Sequence, residues 1–191
     1  MTTFGDLLEE RKDTIVERWV DAVLSAYPSD SAAIFRAQQD PFANPLGHHV
    51  REGTRGVFQA LLDGMDPEEL RTHLDEIVRI RAVQELTPSQ SLSFVFSLRS
   101  IVRDVIPEAN ERHQDGLAGW DEKIDEVALA AFELYSAMRE ELAQLRIKEV
   151  KRQVGWVFEK MNQRDAEALQ AHVSPDRELQ ASDNVQREDP R

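Results

Sequence analysis

Apolar residues recur along this chain at steps of three and four, which is the spacing of one face of an α-helix. Sustained alternation with a period of two, the sign of a strand, is absent. The pattern predicts a first helix over Phe4–Ala26, which Pro28 ends because proline disfavours helical geometry in the residue before it. The inward stripe of this helix comprises Leu8, Ile15, Trp19 and Val23.

The next segment combines a short helix with a turn-rich loop. A second helix is predicted over Ser31–Gln39, and two prolines, an asparagine and a glycine mark Asp40–Gly47 as a loop. The third helix, over His48–Leu62, carries Gly53 and Gly56. Because glycine inside a helix costs about 1 kcal/mol relative to alanine, these two residues indicate either close packing by a neighbouring helix or neutral drift.

Two later segments have the residue types of helix starts. Asp66-Pro67-Glu68-Glu69 begins a helix that runs to about Gln84, and Thr87-Pro88-Ser89-Gln90 places a capping threonine before a proline and a glutamine that can reach back. The helix behind Thr87 is apolar on nearly all sides, which predicts a central buried helix ending at Pro107. The core anchors are expected to include residues from the set Trp19, Phe94 and Phe96, and the loop residues Phe42 and Leu46 are expected to tuck inward.

A long final helix is predicted from Trp120 to about Asn162, where no proline interrupts the chain. At 1.5 Å per residue it would span roughly 60 Å, so its second half is expected to project from a domain of this size. That half carries an apolar row at alternating steps of four and three: Ala143, Ile147, Val150, Val154, Val157 and Met161. Such a row is typical of a helix that pairs with another helix.

Several partners could cover this apolar row. A second copy of the chain is the leading expectation, because an isologous contact buries the same stripe twice. Basic residues beside the row would repel in a parallel pair, which leaves room for an antiparallel pair or an acidic partner helix. Packing against the chain's own helices is the remaining possibility. The domain is expected to comprise residues 1–162, and residues 163–191 are too polar to fold alone, which predicts a disordered tail.

Composition and charge exclude several classes of function. The 191 residues contain 36 acidic and 23 basic side chains, and a net charge of −13 disfavours binding to nucleic acid or to anionic lipid. The absence of cysteine excludes disulfides, thiolate metal sites and cysteine nucleophiles. No apolar run approaches the length of about 20 residues that spans a bilayer, which favours a cytoplasmic protein.

Residues suited to catalysis or to cofactor binding are sparse. The sequence lacks serine nucleophile elbows, glycine-rich phosphate loops and paired metal-binding motifs, so no catalytic, metal or cofactor site is expected. His73 is the weak candidate for a haem ligand, because it falls on the apolar face of its helix between Ile77 and Ile80. A half-buried histidine with a hydrogen-bond partner is the commoner explanation.

The segment VRIRAVQ places Arg79 and Arg81 among apolar neighbours. At least one of these arginines is expected near buried surface, where a guanidinium needs acidic or carbonyl partners. Those partners could be acidic residues of this chain, or an anionic ligand or partner protein. Arg79 and Arg81 are therefore candidate contacts for a ligand or partner.

Several segments together resemble the RsbRD N-terminal domain family of the stressosome co-antagonists. The more specific ones are DPFANPLGHHVREG, over Asp40–Gly53, and DEIVRIRAVQELTPSQSLSFVF, over Asp75–Phe96. The stripes LLEERKDTIVERWVDAVLSAYP, over Leu7–Pro28, and IDEVALAAFELYSAMREELAQLRIKEVKRQV, over Ile124–Val154, also fit.

The resemblance implies an all-α, globin-like domain that binds no haem, forms dimers and serves signal transduction in the stress response. In multidomain relatives the last helix leads into a phosphorylatable STAS domain, for which no residues remain after Asn162, so a freestanding version is expected. The expected function is that of a non-enzymatic regulatory or sensory protein that acts by protein contact. Freestanding relatives are also associated with sulfur respiration, which gives an alternative: an accessory subunit of a redox complex.

Overall fold

The computed structural model describes residues 2–27, 29–38, 40–84 and 86–173, and of the side chains in these ranges it leaves out those of residues 29–31, 157 and 169–173. The described residues form helices and connecting turns, with no strand among them, so the predicted all-α class is confirmed. The helices are α1 (Phe4–Glu10), α2 (Lys12–Leu24), α3 (Ser29–Ala37), α4 (Pro45–Leu62), α5 (Pro67–Ala82), α6 (Pro88–Val105), α7 (Ala109–Arg112) and α8 (Gln114–Val173).

The chain divides into two units, Met1–Leu142 and Ala143–Arg191. The first unit holds the hydrophobic core, to which α1, α2, α4, α5, α6 and the first part of α8 contribute. The second unit, as far as it is described, consists of the remainder of α8. The predicted long final helix is confirmed, and it begins earlier and ends later than the spacing predicted. Of the expected tail, residues 163–173 belong to α8, and residues 174–191 lie outside the described residues.

The prediction of one continuous helix over Phe4–Ala26 was wrong at a single residue. Arg11 leaves helical geometry, with φ −100° and ψ 5°, and separates α1 from α2. Its amide still donates to the Leu7 carbonyl at 3.1 Å, and its own carbonyl accepts from Ile15 at 3.0 Å. The break is therefore a local kink, and no proline or glycine announces it in the sequence.

Both predicted helix starts are present. The Asp66 side chain accepts hydrogen bonds from the amides of Glu68 and Glu69, each at 3.0 Å. Thr87 and Gln90 form a reciprocal capping box, in which each side chain bonds the other residue's backbone amide. These caps satisfy amides that the first turn of a helix leaves free, and they fix where α5 and α6 begin.

The prediction that Trp19, Phe94 and Phe96 include core anchors is confirmed. Trp19 and Phe94 are buried, and the indole nitrogen of Trp19 donates to the carbonyl oxygen of Phe94 at 2.7 Å. Phe96 is 48% exposed and is not one of these anchors, so α6 has a solvent-facing side rather than being buried on nearly all sides. The prediction that Phe42 tucks inward was wrong, since this side chain is 98% exposed, whereas Leu46 is partly buried against the core.

A polar residue takes the inward place in the loop that carries Phe42. Asn44 is buried, and its amide nitrogen donates to the carbonyl oxygens of Phe35 and Gln38 at 2.8 and 2.7 Å. Its side-chain oxygen accepts from the amide of Gly47 at 2.8 Å and so caps α4. Because one side chain closes the end of α3 and starts α4, the loop does not need an apolar anchor.

The glycines of α4 lie where α5 approaches most closely. A Cβ atom at Gly53 would stand 2.7 Å from Ile77 Cγ1 and 2.9 Å from the backbone oxygen of His73. A Cβ atom at Gly56 would stand 2.2 Å from Nδ1 of His73. Both distances are too short for real contacts, so close packing, rather than drift, accounts for these glycines.

Candidate functional site

Two ion pairs in the first unit fix how α6 and α8 run past each other. The guanidinium of Arg103 contacts the carboxylate of Asp121 at 2.5 Å, and that of Arg99, one turn earlier on α6, contacts Asp125, one turn later on α8. The two helices are therefore antiparallel, and each step back along α6 corresponds to a step forward along α8.

One turn beyond these ion pairs, both helices present apolar side chains to solvent. Phe96 precedes Arg99 on α6, and Leu129 and Phe132 follow Asp125 on α8. Their exposed fractions are 48%, 66% and 56%. We call Phe96, Leu129 and Phe132 the α6/α8 patch. The antiparallel register of the ion pairs predicts that these three side chains lie on one side of the helix pair, and large apolar residues grouped in solvent are typical of a protein-contact surface.

Charged groups border the α6/α8 patch on one side. The Arg99 guanidinium lies 5.7 Å from the centre of the Phe96 ring, in a cation–π contact, while it also contacts Asp121 and Asp125. This arrangement holds a cation and a carboxylate next to each other at the patch edge. Apolar groups with such a border resemble the core and rim of a protein interface.

The predicted apolar row of α8 lies in the second unit, and its described side chains are exposed. Ile147, Val150, Val154 and Met161 have exposed fractions of 54%, 57%, 48% and 55%. Ala143 is exposed as well, whereas the side chain of Val157 lies outside the described residues. None of the four large residues belongs to the hydrophobic core.

Basic side chains flank the apolar row, and Glu149, an acidic residue of the same stretch, is already engaged within the helix. Glu149 contacts the Arg152 guanidinium at 2.7 Å and accepts from the amide nitrogen of Gln153 at 3.0 Å. Lys160 lies 4.8 Å from the ring centre of Trp156. Arg146 and Lys151 have no carboxylate partner within the described part of the chain.

The structure separates the two arginines that were predicted as ligand or partner contacts. Arg81 is 1% exposed, and its three nitrogens donate to the carbonyl oxygens of Ser91, Val23 and Gln90 at 2.6, 2.9 and 2.6 Å. Its guanidinium also lies 5.4 Å from the centre of the Phe94 ring. Arg81 thus ties together α2, α5 and α6 with carbonyl partners rather than the acidic residues that were expected first.

Burial sets the ionisation of the groups around Arg81. Loss of solvent lowers the pKa of Arg81. Burial also raises the pKa of Tyr27, whose hydroxyl accepts a hydrogen bond from the Gln84 side chain at 2.6 Å.

Arg79, by contrast, is 72% exposed and contacts Asp75 at 3.2 Å on the surface of α5. Arg79 is thus the accessible member of the predicted pair.

His73 occupies a position governed by packing. Its ring lies over Gly56, its side chain is 30% exposed, and Nε2 stands 3.9 Å from a carboxylate oxygen of Glu69. Within the described ranges, no group of three histidine or acidic side chains is arranged to hold a metal ion.

In the same ranges, no helix has both the length and the apolar character needed to cross a membrane.

A groove of about 460 Å³ in the first unit lies between α2 and α4. Val16 and Val20 contribute apolar side chains to its lining, and its arginines are engaged within the chain. Arg36 contacts Asp21 at 2.7 Å, and Arg51 donates to two carbonyl oxygens at the end of α3. The guanidinium groups of Arg36 and Arg51 therefore already have partners within the chain.

Comparison with known proteins shows what this chain is similar to. The family model described as "RsbT co-antagonist protein rsbRD N-terminal domain" matches residues 13–150, which include the α6/α8 patch and the start of the apolar row. A protein of Archaeoglobus fulgidus described as an "Uncharacterized protein" is 26% identical over 136 residues, covering 71% of this chain and 82% of the relative. No solved structure matches this chain. The family that the sequence segments resemble is thereby confirmed.

Proposed function

This chain belongs to the RsbT co-antagonist protein rsbRD N-terminal domain family, a family of stressosome-related regulatory domains, and from that premise we propose that it is a regulatory protein without enzymatic activity. It acts as a homodimer in the cytoplasm and transmits a signal by contact with other proteins. The observation that carries this proposal is the exposure of the α6/α8 patch.

The α6/α8 patch is suited to bind its own copy. Leu129 and Phe132 stand on one helix and Phe96 on its antiparallel neighbour, so a two-fold axis through the patch would place apolar groups against apolar groups. Removing two aromatic rings and a leucine per protomer from water favours association by about 25 cal/mol for each Å² buried. A soluble monomer would leave that surface exposed.

The border of the patch fits the same geometry. Arg99 and Asp125 stand side by side at its edge, so a two-fold operation can bring the Arg99 of one protomer toward the Asp125 of the other. Self-association then adds charge pairs across the interface, and no like charges need to be brought together. This electrostatic match gives the contact a defined register.

Sedimentation equilibrium of purified chains tests this proposal. Wild type is expected to sediment as a dimer at micromolar concentration, and Phe132→Glu as a monomer, because two carboxylates would be buried against apolar surface. Phe42→Glu is the matched control: it also replaces an exposed phenylalanine, but one outside the patch, and should remain dimeric. A chain ending at Val173 should sediment as a dimer too. A monomeric wild type, or a dimeric Phe132→Glu, contradicts the proposed interface.

A further inference from the structure

The apolar row of α8 is exposed and lies outside the α6/α8 patch, so the proposed dimer contact does not cover it. We infer that the row binds an acidic amphipathic helix of a different protein, in a coiled-coil arrangement. This inference rests on the proposed function, since it names the chemistry of the protein that such a regulatory domain contacts.

The spacing of the row fixes which residues flank it. With Ile147, Val154 and Met161 at the first position of each heptad and Val150 at the fourth, the two flanking positions of the heptad follow by counting. The residues at these flanking positions are Gln144, Arg146, Lys151, Gln153, Phe158 and Lys160. Every charged residue among them is basic.

The acidic residues of this stretch stand elsewhere on the helix. Glu149 and Glu159 occupy outer positions of the heptad, away from the row. Glu149 is moreover engaged by Arg152 at 2.7 Å, which is itself an outer residue. No carboxylate therefore stands at the flanking positions from Gln144 to Lys160, and the next one, Asp165, lies beyond Met161.

Such a set of flanking charges disfavours pairing with a second copy. In a parallel pair, the flanking residue of one helix meets the residue five positions later on the other, which places Arg146 against Lys151. In an antiparallel pair about Gln153, like flanking positions meet, which places Arg146 against Lys160. In the parallel pair only Lys160 gains a carboxylate, that of Asp165, and the antiparallel pair forms no ion pair along the row, so both arrangements bring like charges together.

A helix with glutamate or aspartate at its flanking positions satisfies the same three basic residues. It would cover the apolar row with its own apolar stripe and place carboxylates beside Arg146, Lys151 and Lys160. The chain as a whole carries a net charge of −13, so this local excess of basic residues departs from the rest of the molecule. An anionic membrane is the competing acidic surface. The narrow row, with acidic residues on the outer face, favours a helix over a bilayer.

Two designed peptides test the inference directly. Both have leucine and isoleucine along one stripe, and they differ only in carrying glutamate or lysine at every flanking position. Fluorescence anisotropy with the full-length dimer at about 0.15 M salt is expected to show the acidic peptide binding at least about tenfold more tightly than the basic one. Equal binding of the two peptides, or no binding of the acidic one, overturns the inference.

Two variants assign that binding to the row. Val150→Asp combined with Val154→Asp should abolish binding of the acidic peptide, while far-ultraviolet helicity and the dimer persist. Arg146→Glu, Lys151→Glu and Lys160→Glu together should reverse the preference, so that the basic peptide binds more tightly. Unchanged peptide preference after this charge reversal contradicts the inference.

The remaining occupants give distinct results. If Val150→Asp with Val154→Asp turns the dimer into a monomer while Phe132→Glu leaves it intact, the row pairs with a second copy, and both the inference and the proposed interface are wrong. If vesicles containing phosphatidylglycerol bind the chain and displace the acidic peptide, the row serves a membrane, and only the inference fails. Dimer formation through the α6/α8 patch is measured separately, so the two failures remain distinguishable.

Discussion

The ring of His73 on α5 lies directly over Gly56 on α4, so closely that a Cβ atom at Gly56 would stand 2.2 Å from Nδ1. His73, the weak candidate for a haem ligand, is thus positioned by helix packing. The same close approach of α4 and α5 continues one turn earlier, where Gly53 meets the backbone of His73. The two glycines allow the α4–α5 contact to form.

This contact makes a prediction about glycine substitutions. Gly53→Ala should lower the free energy of unfolding by about 1–3 kcal/mol, because the added methyl meets Ile77 and a backbone oxygen that cannot move freely. Gly119→Ala is the matched control: it lies within α8, no atom stands within 4 Å of the added carbon, and it should gain about 1 kcal/mol from helix propensity. Urea denaturation measures both, and a stabilising Gly53→Ala would contradict the close packing.

Arg81 provides a second prediction. Arg81→Met should destabilise the fold by about 2–4 kcal/mol, since it removes three charge-assisted hydrogen bonds between α5 and two other helices. Arg81→Lys should not restore stability, because an ammonium cannot reproduce the fork of a guanidinium. Arg79→Met, at an exposed ion pair, should cost less than about 1 kcal/mol. Equal losses for Arg79→Met and Arg81→Met in urea denaturation would argue against this role of Arg81.

Tyr27 gives the fold a dependence on alkaline pH. Burial raises its pKa in the folded state, whereas the unfolded chain releases the proton near the ordinary value of about 10. Below that value both states hold the proton, and the contribution of Tyr27 is fully present. Above it the unfolded state binds fewer protons, so stability falls as pH rises. Tyr27→Phe should lose less stability than wild type between about pH 9 and pH 11 in urea denaturation. An equal loss in the two chains would contradict the shift.

The helices could be predicted because particular residue types, such as capping residues and prolines, mark where they begin. Asp66 and Thr87 are capping residues followed by proline, and they begin α5 and α6 as expected. The long final helix followed from the absence of breakers over a long stretch. The break at Arg11 could not be predicted, because no residue type there enforces it.

The direction in which a residue points was harder to predict than the helix that carries it. Phe96 stands in an apolar stretch, but its position on α6 faces away from the core that Phe94 enters. Phe42 is displaced by the hydrogen bonds of Asn44, which only a folded loop reveals. Apolar character alone does not settle which side of a helix is buried.

The α6/α8 patch was missed for the same reason, although the sequence held part of the signal. Leu129 and Phe132 stand three residues apart on one face of the predicted helix, but the polar residues Ser136 and Arg139 separate them from the apolar row. The contribution of Phe96 could not be read from the sequence, because it depends on the antiparallel pairing of two helices distant in the chain.

Disulfide cross-linking is the sharpest test of whether the α6/α8 patch pairs two copies of the chain, because the chain has no cysteine of its own. Two single-cysteine variants, Leu129→Cys and Val154→Cys, are compared under mild oxidation at a concentration where the dimer forms. Leu129→Cys is expected to yield a covalent dimer, since the α6/α8 patch pairs the two copies. Val154→Cys is expected to stay uncross-linked, since the apolar row binds an acidic helix of another protein. A covalent dimer through Val154→Cys with none through Leu129→Cys would contradict pairing through the α6/α8 patch.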